Sequence, residues 1–397
     1  MADGGVPVRG VQDGEDADGG ASSVPPRRQD AAYVIAIPAR DEAARITGCL
    51  DACAQAASRA WPARGRILVL VNNSVDDTAA RAMSWAARFD LPMASDISVD
   101  VVSCRLPRDL AHAGAARRQA LDLARARVGE DGVLLTTDAD TRPDPDWVRA
   151  NLAALGKGAA LVCGRIAFDP AEFNRLPPTI TARYRLQARW RRHAAELVAR
   201  LDPDPHDPWP SHGEVGGASL AVTARAWDRV GGLPAVSHAE DRAFARRIRA
   251  HGLPVRHDPA VRVVTSCRLT GRAAGGLADT LAAGLVAGDH PADEDFEPLG
   301  MLWLRAALRA RVRRLLAADA DPAPLLRWSG FEGRLPDRAA GFGPVWAAVE
   351  AQHPHLARRR MRLSDVAAGL PRLVAACRAL RPEGDEEHAD RLFQEMP

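Results

Sequence analysis

The sequence predicts an α/β fold with a mostly parallel sheet, followed by an α-helical C-terminal extension. Two observations support this prediction. Over residues 33–265, short aliphatic runs alternate with segments whose apolar residues recur at helical spacing, which is typical of strand–helix–strand units. From residue 275 onward the helical spacing continues without a convincing strand. We therefore expect a disordered segment over 1–30, an α/β domain over 31–272 and a helical extension over 273–397.

The composition is that of a globular protein. The 397-residue chain is 47% hydrophobic with a formal net charge of +2, which argues against nucleic-acid binding through bulk positive charge. Its six cysteines lack metal-ligand spacing. No apolar run approaches the ~18 residues of a membrane-spanning helix, and residues 1–30 lack the apolar core of a signal peptide. We expect a cytoplasmic location, with peripheral attachment at the inner face of the membrane as an alternative.

Strands are predicted from aliphatic runs, and helices from apolar residues spaced by three and four. The predicted strands cover residues 33–37, 67–71, 98–104, 133–140, 159–167, 213–222 and 255–265. The predicted helices cover 43–60, an alanine-rich segment after Thr78, 115–127, 146–155, 180–201, 223–230 and 238–251, and then 277–286, 299–316 and 361–380 in the extension. The last of these is expected to break near Pro371, because proline lacks the amide that a helix interior needs.

Two carboxylates, Asp138 and Asp140, end the fourth predicted strand. Side chains two apart in an extended segment point to the same side, so these two should converge at the carboxyl end of the sheet. Carboxylates this close repel each other unless a cation lies beside them. Mn²⁺ or Mg²⁺ would suit such oxygen ligands. The alternative is an ordinary polar turn after a strand.

Further polar segments follow other elements. Residues 38–42 and 72–78 come directly after the first two strands, and 216–219 is a run of small residues beside a strand. Arg117 lies early in the third predicted helix, and residues 240–241 open another helix with two acids. Each has a structural alternative: a helix cap, a bulge, a solvated arginine or acids that complement the helix dipole. Neither the dinucleotide fingerprint nor the P-loop is present.

Taken together, these motifs occur in the order and spacing of a known family. The chain resembles the inverting glycosyltransferases of family 2, which have the GT-A fold, and the resemblance covers about residues 32–270. It implies a nucleoside-diphosphate sugar donor bound at the carboxyl edge of the sheet. It also implies a base that removes a proton from an acceptor hydroxyl, so that the sugar is transferred in a single displacement with inversion.

The resemblance implies a role for each motif. Asp241 matches the catalytic base, with Glu240 beside it. Asp138 and Asp140 match the ligands of a Mn²⁺ or Mg²⁺ ion. The implied donor-binding residues are Pro38, Ala39, Arg40, Asp41 and Glu42 along the nucleoside, Asn72 at the base, Arg117 and Asp138 at the diphosphate, and Gly216 and Gly217 near the sugar.

The sequence departs from the family at two places that bear on ligands. The family often has Asp where Asn72 stands, although a UDP-sugar remains the favoured donor. Family members often carry a histidine at the end of the last strand, near the metal, where residues 265–267 read Thr-Ser-Cys. The third metal ligand is therefore unassigned. His257 is a candidate, and the alternative is a histidine with a structural partner.

The acceptor is expected to be a small or lipid-linked molecule with a hydroxyl group. Arginines of the helix over 180–201, with Arg268 and Arg272, suggest an acidic or phosphate-bearing acceptor. The basic helix over 299–316 either contacts an anionic membrane or packs on the core with solvated arginines. Two other functions remain open, a sugar-1-phosphate nucleotidyltransferase and a non-catalytic nucleotide-sugar-binding protein. Neither fits as well, because the first usually has a glycine-rich loop after its first strand and the second need not retain Asp241.

Overall fold

The computed structural model describes residues 31–88, 97–108, 110–271, 276–286 and 288–381. The predicted disorder of residues 1–30 lies outside these ranges. The strands are β1 (Ala31–Ala39), β2 (Gly65–Asn72), β3 (Ile97–Cys104), β4 (Val128–Thr136), β5 (Thr141–Pro143), β6 (Leu161–Phe168), β7 (Leu220–Thr223) and β8 (Val255–Thr265).

The helices of the α/β part are α1 (Ile46–Ser58), α2 (Thr78–Arg88), α3 (Ala113–Arg125), α4 (Trp147–Gly156), α5 (Pro170–Phe173), α6 (Pro178–Leu201), α7 (Ala224–Val230) and α8 (Glu240–Ala250). Those of the extension are α9 (Leu277–Ala282), α10 (Leu299–Ala317), α11 (Ala323–Trp328), α12 (Phe342–Gln352) and α13 (Leu363–Ala379). The elements predicted from periodicity are therefore present, although the strand predicted over 213–222 begins only at Leu220. The elements β5, α5, α11 and α12 were not predicted.

The eight strands form one sheet in the order β3-β2-β1-β4-β7-β6-β8-β5. The strands β1 to β4 pair in parallel, as do β6 and β8. Two strands run the other way, β7 between β4 and β6, and β5 on the edge beside β8. The mostly parallel sheet is confirmed. The reversal of β7 was not predicted, because direction depends on a long connection that carries no local signal.

Helices cover both faces of the sheet. The side chains of β1, which point alternately to the two faces, show which helices lie on each side. Tyr33, Ile35 and Ile37 pack on one side with residues of α1, α2 and α4. Val34 and Ala36 pack on the other side with residues of α3, α7 and α8. A strand buried on both faces is a continuous aliphatic run, as the sequence of β1 is.

The carboxylates of the Asp-x-Asp pair do not lie in a strand. β4 ends at Thr136, and the pair occupies the turn to β5, in which the Thr141 amide donates to the Asp138 carbonyl at 3.0 Å. The expectation that an extended backbone places both side chains on one side is therefore wrong. The turn keeps the pair at the carboxyl edge of the sheet, where the strand would have placed it.

The extension packs against the long helix α6. Buried side chains of α6, α10 and α13 form one apolar cluster that includes Trp190, Leu197, Leu302 and Leu373. α13 runs through Pro371 without a break, contrary to the prediction. Pro371 is exposed, and the leucines on either side of it hold the helix on α6, so packing overrides the missing amide.

The basic helix α10 packs on the rest of the fold, and this interpretation of its sequence is confirmed. Its arginines are not simply solvated, however. Arg305 is buried and pairs with Glu297 at 2.9 Å, while Arg309 and Arg313 both pair with the buried carboxylate of Asp202 at the end of α6. None of the described helices is long and apolar enough to span a membrane.

Replacing Leu373 by alanine should destabilise the protein by about 2–5 kcal/mol, because the side chain is fully buried between α13 and α6. The matched control is Leu285→Ala, whose side chain is 55% exposed and whose loss should change the stability by less than about 1 kcal/mol. Urea denaturation measures both. Equal midpoints for the two variants would show that α13 is not part of the cooperative unit.

Candidate active site

A cleft of about 1940 Å³ opens at the carboxyl edge of the sheet and extends between α6, α8 and the extension. Nearly all of the predicted site residues line it, namely Pro38, Ala39, Arg40, Glu42, Asn72, Arg117, Asp138, Asp140, Gly216, Gly217, Glu240 and Asp241. The exception is Asp41. The structure therefore brings together residues that lie up to about 200 positions apart in the chain.

Asp41 joins the two loops that follow β1 and β2. Its backbone is left-handed, with φ of 52°, and its amide donates to Ser74 Oγ at 3.0 Å. Its carboxylate accepts from the Val75 amide at 2.8 Å. The next amide, of Glu42, donates to Thr78 Oγ1 at 2.7 Å. These bonds fix the shape of the loop 38–42, which is predicted to contact the nucleoside.

The guanidinium of Arg117 lies in the cleft wall and donates hydrogen bonds to four other residues. It donates to Asp138 at 2.6 Å and to Glu240 at 3.1 Å. It also donates to Thr136 Oγ1 at 3.1 Å and to the Gly217 carbonyl at 2.7 Å. Only 6% of the side chain is exposed. Burial alone would lower the pKa of Arg117, but the carboxylates of Asp138 and Glu240 raise it above its usual value.

Gly217 is needed next to this guanidinium. A Cβ atom added at Gly217 would lie 2.3 Å from Cζ of Arg117, so no larger residue fits without moving the arginine. The Gly217 amide donates to Oδ2 of Asp241 at 2.8 Å. The same residue thus touches Arg117 through its carbonyl and the candidate base through its amide.

The carboxylate of Asp241, the candidate base, is held by two backbone amides. Its Oδ1 accepts from the Arg242 amide at 2.7 Å, and the residue two positions before it, Ala239, has a left-handed φ of 51° that turns the chain into α8. Burial and the neighbouring charge of Glu240 raise the pKa of Asp241, and this increase is partly offset by the Arg242 amide and by Arg117. A carboxylate of raised pKa suits general base catalysis.

Asp140 belongs to a second charged group. Its carboxylate lies 3.2 Å from the guanidinium of Arg268, which also binds both oxygens of Glu42. Burial, and then the charge of Asp138, raise the pKa of Asp140 to about 7. Arg268 follows the carboxyl end of β8, and this position at the edge of the sheet was the sequence signal that could have placed it here.

The acidic groups fit a divalent cation. Five carboxylates line this part of the cleft, those of Glu42, Asp138, Asp140, Glu240 and Asp241, against the guanidiniums of Arg117 and Arg268. A nucleoside diphosphate would add further negative charge, so its entry calls for a cation. Carboxylate oxygens are the ligands that Mn²⁺ and Mg²⁺ take, commonly one or two together with phosphate oxygens.

A third protein ligand is not found beside the pair. Among the described residues, three histidine, cysteine or acidic side chains bring ligand atoms within 4.8 Å of one another only at His193, Glu196 and Cys377, between α6 and α13. There Glu196 already accepts from the guanidiniums of Arg200 and Arg381.

His257 is not a ligand of the Asp-x-Asp pair. Its Nδ1 lies 2.6 Å from the Asp207 carboxylate, and its Nε2 lies 3.2 Å from Arg249. It pairs with Cys163 in the sheet, whereas the carboxyl end of β8 pairs with Phe168. Five residues of strand separate the two places, roughly 16 Å. The alternative that His257 has a structural partner is correct.

The arginines on the acceptor side are paired within the protein. Arg191 of α6 contacts Glu214 at 3.2 Å and Asp293 at 2.7 Å, and Arg242 contacts Asp293 at 2.9 Å. Burial alone would raise the pKa of Asp293, but the two arginines lower it to about 2. This pairing weakens the expectation of an acidic acceptor, and Arg272 lies outside the described residues. No sequence motif pointed to Asp293.

Replacing Arg117 by methionine should destabilise the protein by about 3–5 kcal/mol at pH 7, because the carboxylates of Asp138 and Glu240 would lose their buried counter-ion. The control is Arg118→Met at the next position, where the arginine is 38% exposed and the loss should be below about 1 kcal/mol. Urea denaturation measures the difference. A loss no larger than that of the control would show that Arg117 does not hold the two carboxylates together.

Comparison with known proteins identifies a family that part of the chain resembles. Residues 34–212 match the model described as glycosyl transferase family 2, while no curated protein is a match. Similar solved structures include the mannosyltransferase PcManGT from Pyrobaculum calidifontis in complex with GDP-Man and Mn²⁺, at 18% identity and a TM-score of 0.43 over 92% of this chain and 79% of that chain.

Two other solved structures are similarly distant. Glucosyl-3-phosphoglycerate synthase from Mycobacterium tuberculosis, in complex with Mn²⁺, UDP-Glc and phosphoglyceric acid, has 19% identity and a TM-score of 0.38 over 64% of this chain and 78% of that chain. TarS 1–349 from S. aureus, in complex with UDP-GlcNAc, has 11% identity and a TM-score of 0.41 over 75% and 78%. These likenesses are too distant to assign a donor or an acceptor. The match covers 179 of the 397 residues, all within the α/β domain, and this part of the chain is similar to the family 2 glycosyltransferases, as its sequence motifs suggested.

Proposed function

We propose that the protein is a metal-dependent inverting glycosyltransferase that moves a sugar from a nucleoside-diphosphate sugar to an acceptor hydroxyl by single displacement. The observation that supports this most directly is the bond of Arg117 to both Asp138 and Glu240, which sets the donor-side carboxylate and the candidate base Asp241 in one cleft. The catalytic unit would be residues 31–272, and residues 273–397 would be the helical extension.

The donor side is formed by the loops after β1, β2 and β4. The loop 38–42 would lie along the nucleoside, Asn72 would face the base, and Asp138 and Asp140 would hold Mn²⁺ or Mg²⁺ together with the diphosphate. The bound cation would neutralise the charge that develops on the leaving diphosphate. A UDP-sugar is the first donor to test. Asn72 is the last residue of β2 and lines the cleft, as this role requires.

Asp241 would take the proton of the acceptor hydroxyl. Each of its oxygens accepts one backbone amide, from Gly217 and Arg242, which fixes the carboxylate while lone pairs remain for the acceptor. The acceptor oxygen would bond to the anomeric carbon as the bond to the diphosphate breaks, and the proton would pass to Asp241. Glu240 is occupied by Arg117, so its role would be to position Asp241 and adjust its pKa.

The acceptor would be a small or lipid-linked molecule with a hydroxyl group. One feature favours the lipid-linked class and, with it, peripheral contact with a membrane. Leu277 of α9 lines the cleft and is 46% exposed, and Leu285 and Val286 at the end of the same segment are also exposed. Apolar side chains at the mouth of a cleft can contact the lipid of an acceptor whose polar end is inside.

Asp241→Asn should reduce transfer about 10²–10⁴-fold while leaving donor binding intact, because only the proton acceptor is lost. Asp140→Asn should instead abolish the Mn²⁺-dependent part of donor binding. Binding is measured as the thermal shift with UDP and GDP, with and without Mn²⁺, and saturation to a hundredfold excess over Kd stabilises the fold by about 2.7 kcal/mol. Transfer is measured with the sugar nucleotide that binds.

The control for both variants is Asp131→Asn, whose side chain is almost fully exposed and pairs only with Arg225 at the surface. It should match the wild type in both assays. Full transfer by Asp241→Asn would contradict the role of the base. If no nucleoside diphosphate shifted the melting temperature of the wild type, with or without Mn²⁺, the proposed donor class would be wrong.

With saturating Mn²⁺, which would keep Asp140 ionised, the acid limb of the pH profile of kcat/KM should report the ionisation of Asp241. It should lie above the usual range for aspartate, because burial and Glu240 raise the pKa of Asp241. Activity should fall as the pH drops through this value, since the base must be ionised. In Glu240→Gln the neighbouring negative charge is gone, so the pKa falls and the limb moves to lower pH. Glu350→Gln, in the extension, serves as the control and should leave the limb in place. An unmoved or raised limb in Glu240→Gln would exclude Asp241 as the titrating base.

A further inference from the structure

Arg268 occupies the position beside Asp140 at which a third metal ligand was sought. It follows the carboxyl end of β8, where the sequence has no histidine. Its guanidinium lies 3.2 Å from Asp140 and donates to Glu42 at 2.7 Å. The side chains of Arg268, Glu42 and Asp140 are 22%, 8% and 15% exposed. The group therefore lies within the cleft wall, largely removed from solvent.

We propose that Arg268 is the resident counter-ion of Asp140 and competes with the divalent cation for this carboxylate. As a result, the cation would bind weakly to the protein alone and tightly only together with a nucleoside diphosphate. This inference rests on the proposed function, since it concerns how the cation and the donor share one site. Arg268 is thus a positioning residue that links the binding of the two.

The contacts around Arg268 fix it in this place. The Ser266 amide donates to the carbonyl of Asp140 itself at 3.3 Å, and Ser266 Oγ and the Cys267 amide donate to Glu172 at 2.7 and 3.0 Å. The loop that carries Arg268 is therefore attached to the turn that carries Asp140. The guanidinium itself is held by its bidentate contact with Glu42.

Because the charge of Arg268 is permanent, the guanidinium always competes with a divalent cation for Asp140. Arginine stays protonated at any pH at which the protein is folded, so a divalent cation on Asp140 always meets a second positive charge beside the same carboxylate. A diphosphate resolves the conflict, because its oxygens can bind the cation and accept from the guanidinium at the same time. Glu42 belongs to the loop predicted to lie along the nucleoside, so the same contact connects the cation site with the donor loop.

The test measures Mn²⁺ binding to the full-length protein by electron paramagnetic resonance of the free ion, without any turnover. Arg268→Gln should bind Mn²⁺ alone about tenfold more tightly than the wild type, because the competing charge is gone. The ratio of Mn²⁺ affinities with and without UDP or GDP should fall correspondingly. Arg268→Lys retains the charge and should keep the weak affinity. Arg183→Gln removes another arginine that lines the cleft and should change nothing.

A second variant, which does not depend on the folding of Arg268→Gln, should change the Mn²⁺ affinity in the opposite direction. Glu42→Gln frees the guanidinium to pair with Asp140 alone, so Mn²⁺ should bind severalfold more weakly than in the wild type. An unchanged Mn²⁺ affinity in both Arg268→Gln and Glu42→Gln, with binding abolished by Asp140→Asn, would overturn the role of Arg268 and leave the cation site intact. No Mn²⁺ binding to the wild type, even with UDP or GDP, would instead overturn the metal dependence of the proposed function.

Discussion

The architecture of the cleft depends on one buried cation, the guanidinium of Arg117. Its partners come from β4, from the turn after β4, from the loop before β7 and from α8. Two of them are carboxylates, those of Asp138 and Glu240, and the guanidinium pairs with both in a confined space. The need for Gly217 follows from this arrangement, because a Cβ atom there would collide with the guanidinium. One guanidinium therefore joins the four chain segments that form this wall of the cleft.

Other arginines also pair with carboxylates from different elements of the fold. Lys157 is the only lysine of the sequence, and the other basic residues are arginines. Arg268 joins Glu42 and Asp140, Arg242 and Arg191 enclose Asp293, and α10 is held to the end of α6 by arginines on Asp202. Because a guanidinium offers several donors in one plane, one residue can bridge two carboxylates from different elements. These arginines thus serve as internal connectors.

The parts of the fold that could be predicted are those determined by local pattern. The strands β1 and β2 are aliphatic runs whose burial follows from their sequence, and site motifs follow the carboxyl ends of both strands. Features that depend on distant residues could not be predicted. Examples are the reversed direction of β7, the helical path through Pro371 and the contact of Arg268 with Asp140, which join parts of the chain that no periodicity relates.

For the site residues too, positions in the cleft were predictable from the sequence, whereas contacts between distant residues were not. The position of Asp138 in the cleft was predictable, because a carboxylate after a buried strand must emerge at the edge of the sheet. Its partner Arg117 was predicted to be at the site, but the bond to Glu240 was not, since 123 residues separate the two. The role of Asp293 has no sequence signal at all, because it arises only when the extension packs on α6 and α8.

The segment that matches the family model ends at residue 212, whereas Asp241, Arg268 and Asp293 all lie beyond it. Substitutions at these three positions would leave the matched segment itself unchanged. They would still act on it, because Arg268 binds Glu42 in the loop after β1. The matched segment and the second half of the chain are thus coupled through the wall of the cleft.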